Sequence, residues 1–301
     1  MRRLALGVIL LVALSGCAAT STDRPLVVVT TNILGDVVQN VVGDEAEVLV
    51  LMRPNSDPHS FEISAQQAAR ILGADLIVSN GLGLEEGLQQ HLDSAADAGV
   101  PMLAAGDVVD VLAYNESGAA DPHFWTDPAQ MLHVVSAVEA QVTDHVSGVD
   151  SVVIARNADA YAAEIEQLDA EMSTAFDALA RGHRQLVTNH HVFGYLAERY
   201  DFEIVGAVIP GGSTLAAPSA SDLRDLVGAI NEAGVSTIFA ESSQPDRLVQ
   251  VLAEEADLDV AVVELYTESL SEPGTSADSY LTMMRTNTER IATGLARQGS
   301  H

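Results

Sequence analysis

Three of the nine histidines in this 301-residue chain stand in loops that follow predicted strands or turns: His59, His123 and His190. His59 closes Asp57-Pro58-His59, and His123 closes Asp121-Pro122-His123, so one tripeptide occurs twice in the first half. Proline restricts the backbone before each histidine, which suits a side chain held in one direction. A lone loop histidine is usually a solvated bystander. Two in identical settings, with a third in the second half, argue for a shared role. Neutral imidazole is a borderline ligand suited to Zn2+ and its neighbours, and a carboxylate can complete the donor set. Two carboxylates are candidates: Glu241, after the predicted strand Thr237 to Ala240, and Glu268, after the strand ending at Leu265. Asp57 and Asp121 either orient an imidazole or cap turns, and the turn role is favoured. His91, His133, His145 and His183 lie on helices or turns without this context and read as surface or interhelical residues. His301 is the chain terminus.

The elements that must position these residues alternate between strand and helix. The β-branched run Leu26 to Thr30 reads as a buried strand, Leu34 to Val42 as a helix, and Glu47 to Leu51 as a second strand leading into the His59 loop. Ser64 caps a helix through Leu72, and Leu76 to Ser79 is a third strand. The pattern resumes with strands at Gln185 to Thr188, Glu203 to Val208, Thr237 to Ala240 and Val260 to Leu265. Helices fall at Gly194 to Tyr200, from Ser219 or Ser221 to about Ala233, from Pro245 to Ala256, and at Tyr280 to Ala296. Such alternation predicts an α/β fold with parallel sheets covered by helices, and ligands bind such sheets at the carboxyl ends of strands. Ser151 to Ala180 differs: it holds no Pro or Gly, and Tyr161, Ile165, Leu168, Met172, Phe176 and Leu179 recur at steps of three and four. One amphipathic helix of about 45 Å, spanning two lobes, is the natural reading.

Composition bounds the partners. The chain carries 43 acidic residues against 14 basic ones, all arginine, for a formal charge of -29. Repulsion then disfavours nucleic acid, an anionic lipid surface and anionic substrates. Arg2 and Arg3 precede the apolar run Leu4 to Leu14, which is too short to span a bilayer and has the layout of a secretory signal peptide. It ends in Leu14-Ser15-Gly16-Cys17, which looks like a lipobox with cleavage before Cys17, the only cysteine. A lipidated Cys17 gives an extracytoplasmic protein whose sole membrane contact is its lipid anchor. The expected layout is a signal peptide (1–16), a tether (17–25), a first α/β lobe (26–148), a bridging helix (149–182) and a second α/β lobe (183–298).

Seven segments, in order, resemble the zinc- and manganese-binding solute-binding lipoproteins of ABC transporters. They are Thr30-Thr31-Asn32-Ile33-Leu34-Gly35-Asp36, Asp57-Pro58-His59-Ser60-Phe61-Glu62, Asn80-Gly81-Leu82-Gly83-Leu84-Glu85, Asp121-Pro122-His123-Phe124-Trp125-Thr126-Asp127-Pro128, Asn189-His190-His191-Val192-Phe193-Gly194-Tyr195-Leu196, Ile238-Phe239-Ala240-Glu241 and Ser279-Tyr280-Leu281-Thr282-Met283-Met284-Arg285-Thr286-Asn287. The resemblance runs from about Leu26 to Leu295. It implies two lobes, each a small parallel sheet flanked by helices, joined by one long helix, with the metal in the interlobe cleft. It also implies His59 and His123 as the first two ligands, His190 as the third by alignment on Gly194-Tyr195, and Glu268 as the fourth. Two positions depart from the family pattern: His191 stands where an acidic residue is usual, and Glu268 where many members carry Asp. Glu241 and His191 are then read as residues behind the ligands, a carboxylate there accepting the second N–H of an imidazole.

The resemblance implies capture of a divalent cation and its delivery to a permease and ATPase, by a protein expected to be a monomer and not an enzyme. Three imidazoles favour Zn2+ over Mn2+, which prefers oxygen donors, while the short, histidine-free stretch Leu112 to Ala120 weighs toward Mn2+. A zinc hydrolase would need an open metal position and a general base. Neither a His-Glu-x-x-His helix nor a Gly-x-Ser-x-Gly elbow occurs. A surface adhesin is a third reading, with no separate support in the sequence.

Overall fold

The computed structural model describes residues 24–114, 118–209, 213–215, 218–243, 247–255 and 260–296. The signal peptide, Cys17, most of the tether, Pro245 as a helix start, and His301 lie outside these residues. Strands β1 (Leu26–Val29), β2 (Glu47–Val50), β3 (Leu76–Ser79) and β4 (Met102–Ala104) form a parallel sheet in the order β2-β1-β3-β4. Strands β5 (Gln185–His190), β6 (Glu203–Ile209), β7 (Thr237–Glu241) and β8 (Ala261–Leu265) form a second, in the order β6-β5-β7-β8. The two orders are the same relative to the chain. In each lobe the first strand is central, and the chain crosses to one side and then the other. That reversal point is where ligands sit in open α/β sheets.

Around the sheets run α1 (Asn32–Val42), α2 (Ala65–Ile71), α3 (Gln89–Asp97), α4 (Pro128–His145), α5 (Ser151–Asp177), α6 (Gly194–Tyr200), α7 (Ala220–Ala233), α8 (Arg247–Glu255) and α9 (Tyr280–Ala296). Val27, Val28 and Val29 are all fully buried, Val27 and Val29 in one cluster and Val28 in another. An unbroken apolar run is what a parallel strand covered on both faces requires. Ser64 caps α2 reciprocally with Gln67, and Ser219 caps α7 with Asp222.

Helix α5 buries Ile154, Ala158, Tyr161, Ile165, Leu168, Met172 and Phe176 along one stripe. It packs on α1 and α4 of the first lobe and on α9 of the second. These contacts merge into one apolar cluster, which runs from Val27 and Val134 through Ile165 to Leu186, Phe239 and Ile291. The outer faces of the two sheets carry separate, smaller clusters. Asp36 of α1 strengthens the seam: its Oδ2 accepts from the Tyr161 hydroxyl of α5 (3.1 Å) and from the Tyr280 N–H at the start of α9 (3.0 Å). Burial raises the Asp36 pKa despite these two donors.

Some boundaries differ from the predicted ones. Helix α1 starts at Asn32, because the Thr31 hydroxyl caps it through the Leu34 N–H, two residues before the apolar pattern begins. Helix α5 ends at Asp177, ahead of Ala180. Ala180 is extended, so the chain can turn through Arg181–His183 into β5. Strand β5 runs two residues further than predicted, to His190. Helices α3 and α4 and strand β4 have no counterpart among the predicted elements. For α4 the signal was present, since Asp127 caps it through the Ala129 N–H and Pro128 occupies its first turn. Among the described residues no helix is long and apolar enough to cross a membrane.

Because Ile165 is fully buried inside the shared cluster, Ile165→Ala is expected to cost about 2–5 kcal/mol. The loss is expected as one cooperative transition reported alike by probes in either lobe, measured by urea unfolding with fluorescence and circular dichroism.

Candidate metal centre

The repeated tripeptide folds the same way twice. The Asp57 Oδ1 accepts the His59 N–H at 2.9 Å, and the Asp121 Oδ1 accepts the His123 N–H at 2.9 Å. This is the turn in which an aspartate side chain caps the backbone two residues on. The aspartates then diverge. The other oxygen of Asp57 accepts from the hydroxyls of Ser60 (3.0 Å) and Thr214 (2.7 Å), and the latter lies in the second lobe. Asp121 also takes the imidazole, its Oδ1 lying 2.8 Å from the His123 Nδ1. Asp121 thus caps the turn and orients the ring, whereas Asp57 caps the turn and reaches the second lobe through Thr214.

His190 is the last residue of β5, and Glu241 the last of the neighbouring strand β7. The two side chains meet, Glu241 Oε2 lying 2.9 Å from the His190 Nδ1. Glu241 is itself fixed by the Asn189 amide (3.0 Å) and the Ser243 hydroxyl (2.5 Å). Glu268 comes from the loop after β8. Its Oε1 lies 2.9 Å from the Nε2 of His59, 3.0 Å from that of His123 and 3.0 Å from that of His190. All four side chains are buried, and one donor atom from each lies within 4.8 Å of the others.

The protonation chemistry of this arrangement is one-sided. A neutral imidazole has one N–H, and in His123 it is directed to Asp121 through Nδ1. Its Nε2 then turns a lone pair on Glu268. Lone pairs facing a carboxylate require a cation among them, either protons on the rings or a metal ion. Without a metal, burial would push His190 down, but Glu268 and Glu241 outweigh it and raise its pKa well above the usual value. His123 is raised in the same way by Asp121 and Glu268. Glu268, which burial alone would raise, is held well below the ordinary range by His190, His123 and His59. Burial, and then the charge of Glu268, raise Glu241. A metal suits the same atoms. Zinc–ligand bonds of about 2.0–2.1 Å put neighbouring tetrahedral donors about 3.3 Å apart, near the three N–O separations here, while the full spread of the four atoms, up to 4.8 Å, requires the imidazoles to draw in around an ion.

The neighbouring histidine lies outside the four-donor cluster. His191 is half-buried against the Tyr114 ring, with centroids 5.1 Å apart, and burial lowers its pKa. Successive residues leaving a strand point to opposite sides, so only one of the doublet can enter the cluster. His91, His133 and His145 are exposed and His183 partly so, all outside the cluster.

Several residues at the site were not singled out as site residues from sequence. The Tyr114 hydroxyl lies 3.1 Å from the His123 Nδ1. The Trp125 indole N–H donates to the Thr267 carbonyl at 2.8 Å. Asn32 bonds the loop just beyond Glu268. Trp125 is the only tryptophan in a chain with 4% aromatics, which was a usable signal. Asn32 and Tyr114 carried none.

Residues 27–294 match the family described as zinc-uptake complex component A, periplasmic. The chain belongs to that family. Among its relatives, the zinc-binding protein TroA of Treponema pallidum is 30% identical over 286 residues, covering 93% of this chain and 91% of that protein. The manganese-binding lipoprotein MntA of Halalkalibacterium halodurans is 26% identical, covering 96% and 97%. The solved structure of the periplasmic zinc-binding protein TroA from Treponema pallidum superposes with a TM-score of 0.84 at 29% identity, covering 90% of this chain and 99% of that one. A Mn-bound periplasmic metal-binding protein from Candidatus Liberibacter asiaticus has the same fold, with a TM-score of 0.81, 24% identity, and 90% and 100% covered. The two-lobed α/β fold with a long connecting helix is therefore that of the family. The reading as a binding protein and not a hydrolase agrees with the names of these relatives.

Gly194, the first residue of α6, lets the second lobe approach Asp121. A Cβ there would lie 2.5 Å from the Asp121 Oδ2. Helix propensity alone favours alanine by about 1 kcal/mol, whereas the clash is expected to cost about 1–3 kcal/mol. Gly194→Ala is thus expected to lower the melting temperature, and a rise would mean that Asp121 yields freely.

Proposed function

We propose that the protein captures one divalent transition-metal ion outside the cytoplasm, Zn2+ in first place, and delivers it to an ABC permease driven by its ATPase. His59, His123, His190 and Glu268 are the ligands. Asp121 and Glu241 hold two of the imidazoles from behind. The protein works as a monomer anchored through a lipidated Cys17, with lobes at 26–148 and 183–298 and the bridge at 149–182. One observation carries this reading: three imidazole nitrogens and one carboxylate oxygen, drawn from four separate segments, converge in a buried spot. Four donors without a general base suit a closed site that holds its cargo without transforming it.

Three nitrogens and one oxygen favour Zn2+. One feature favours Mn2+ as the second reading. The Glu268 Oε2 has no hydrogen-bond partner among the described residues, so the carboxylate can bind through both oxygens and enlarge the oxygen share. Elemental analysis of protein purified without chelator, followed by competition between Zn2+ and Mn2+, decides between them. Stoichiometric Zn2+ that excess Mn2+ fails to displace supports the first reading.

The doublet gives a sharp comparison. His190→Ala is expected to weaken Zn2+ binding at least tenfold, about 1.4 kcal/mol, by calorimetric titration with a competing chelator. His191→Ala is expected to cost much less. The reverse order would shift the ligand assignment by one residue.

The pH dependence follows from the shifted groups. In the metal-free fold His123 and His190 are raised, so their protonated forms stabilise it below the unfolded pKa of about 6.5, an effect lost as pH rises through the higher folded values. Glu268, held low, gives stability above the ordinary carboxylate range that is lost on acidification. Metal competes with the imidazole protons. The melting-temperature gain from saturating Zn2+ is therefore expected to be large near about pH 8 and to shrink steeply toward about pH 5.5. A gain independent of pH would argue against imidazole ligands.

A further inference from the structure

Glu268 follows a strand of the second sheet, yet the backbone on both sides of it is bonded to the first lobe. Before it, the Trp125 indole N–H donates to the Thr267 carbonyl at 2.8 Å. After it, the Leu270 N–H donates to the Asn32 side-chain carbonyl (2.9 Å), the Asn32 amide donates to the Ser269 hydroxyl (2.8 Å), and the Asn55 N–H donates to the Leu270 carbonyl (2.9 Å). Second-lobe tethers flank this stretch on both sides: the Asn287 amide of α9 bonds both backbone groups of Tyr266, at 2.9 and 2.6 Å, and the Ser271 N–H donates to the Ala277 carbonyl at 2.9 Å. Glu268 thus sits on a second-lobe loop, anchored to its own lobe at Tyr266 and Ser271, whose intervening backbone is bonded to the first lobe. His190 is placed differently, since its backbone is part of β5 and pairs with Ile209 of β6.

We infer that Asn32 and Trp125 are positioning residues: first-lobe side chains that clamp the second-lobe loop on either side of Glu268 and so set its carboxylate against His59 and His123. This rests on the metal-site reading above. Both residues are placed to do so, since Asn32 and Trp125 are 7% and 3% exposed and neither belongs to the four-donor cluster. Asn32 supplies an acceptor and donors together, which pins the loop in register. Trp125 also packs its ring against His123, centroids 5.2 Å apart, so one side chain contacts the His123 ring and the Glu268 loop.

The test is a double-mutant cycle on Zn2+ affinity in the full-length protein, with Co2+ absorption as a second readout of coordination. Asn32→Ala and Trp125→Phe are each expected to weaken Zn2+ about tenfold or more when Glu268 is present. In the Glu268→Ala background the same changes are expected to have little further effect, because the group they position is gone. Their Co2+ spectra are expected to shift toward that of Glu268→Ala and away from that of His190→Ala. Equal losses in both backgrounds would mean that the residues act through general stability, and would overturn the proposal. No loss where Glu268→Ala alone weakens binding would overturn it too, while leaving the metal site standing. An unchanged affinity in Glu268→Ala overturns the metal-site reading and this proposal together. Should Asn32→Ala fail to fold, as judged by metal-free melting, Trp125→Phe carries the same comparison.

Discussion

One carboxylate oxygen, the Oε1 of Glu268, is shared by three imidazoles at 2.9–3.0 Å. A buried anion is costly unless cationic or hydrogen-bonding partners surround it, and here the partners come from three separate segments. None of the three segments can leave without exposing the charge to an apolar interior. The outer nitrogens of two rings each face a carboxylate, His123 hydrogen-bonded to Asp121 and His190 lying 2.9 Å from Glu241. Fixing the far side of a ring fixes where its near lone pair points, which a site that recognises a bare cation requires.

The scaffold achieves this by repetition. Both sheets have the same strand order with the first strand central, so both present loops at an equivalent reversal point. Turning one set of loops to the other needs a rigid relation between sheets, and α5 supplies it by burying residues into a cluster drawn from both lobes. Asp36 adds a polar clasp at the place where α1, α5 and α9 meet. The lobes are thus two by topology but share one interior.

Two positions were set apart by the resemblance, His191 and Glu268, and the structure places them differently. His191 turns away from the cluster to lie against Tyr114, so the second histidine of the doublet adds no donor. Glu268 is longer than aspartate, yet its oxygen reaches all three rings, because the loop carrying it is drawn toward the first lobe by Trp125 and Asn32. The relatives carry names for zinc, manganese and iron binding, so membership of the family does not by itself set the metal.

Much of this was legible in the residues themselves. Strand runs such as Leu26–Val29, the capped helices α2 and α7, and the long stripe of α5 follow from local spacing and capping, which act over a few residues. The Asp-Pro-His repeat marked two site histidines, because its turn is also local. Segment resemblance marked His190 and Glu268 as well. What spacing could not give was which side chains meet across the chain. Nothing near Asn32 in sequence points to Leu270, 238 residues away. Nothing in the identical tripeptides says that Asp121 takes the imidazole while Asp57 reaches Thr214. Nor does the order of segments reveal that the loop bearing Glu268 is bonded to the first lobe although its strand belongs to the second. Sequence determined most of the elements, though not α3, α4 or β4, and the types of donor, because backbone preference and side-chain chemistry are local. Only the packing of the two sheets about α5 decided which donors share one oxygen, because that depends on distances between parts of the chain that have no sequence relation to each other.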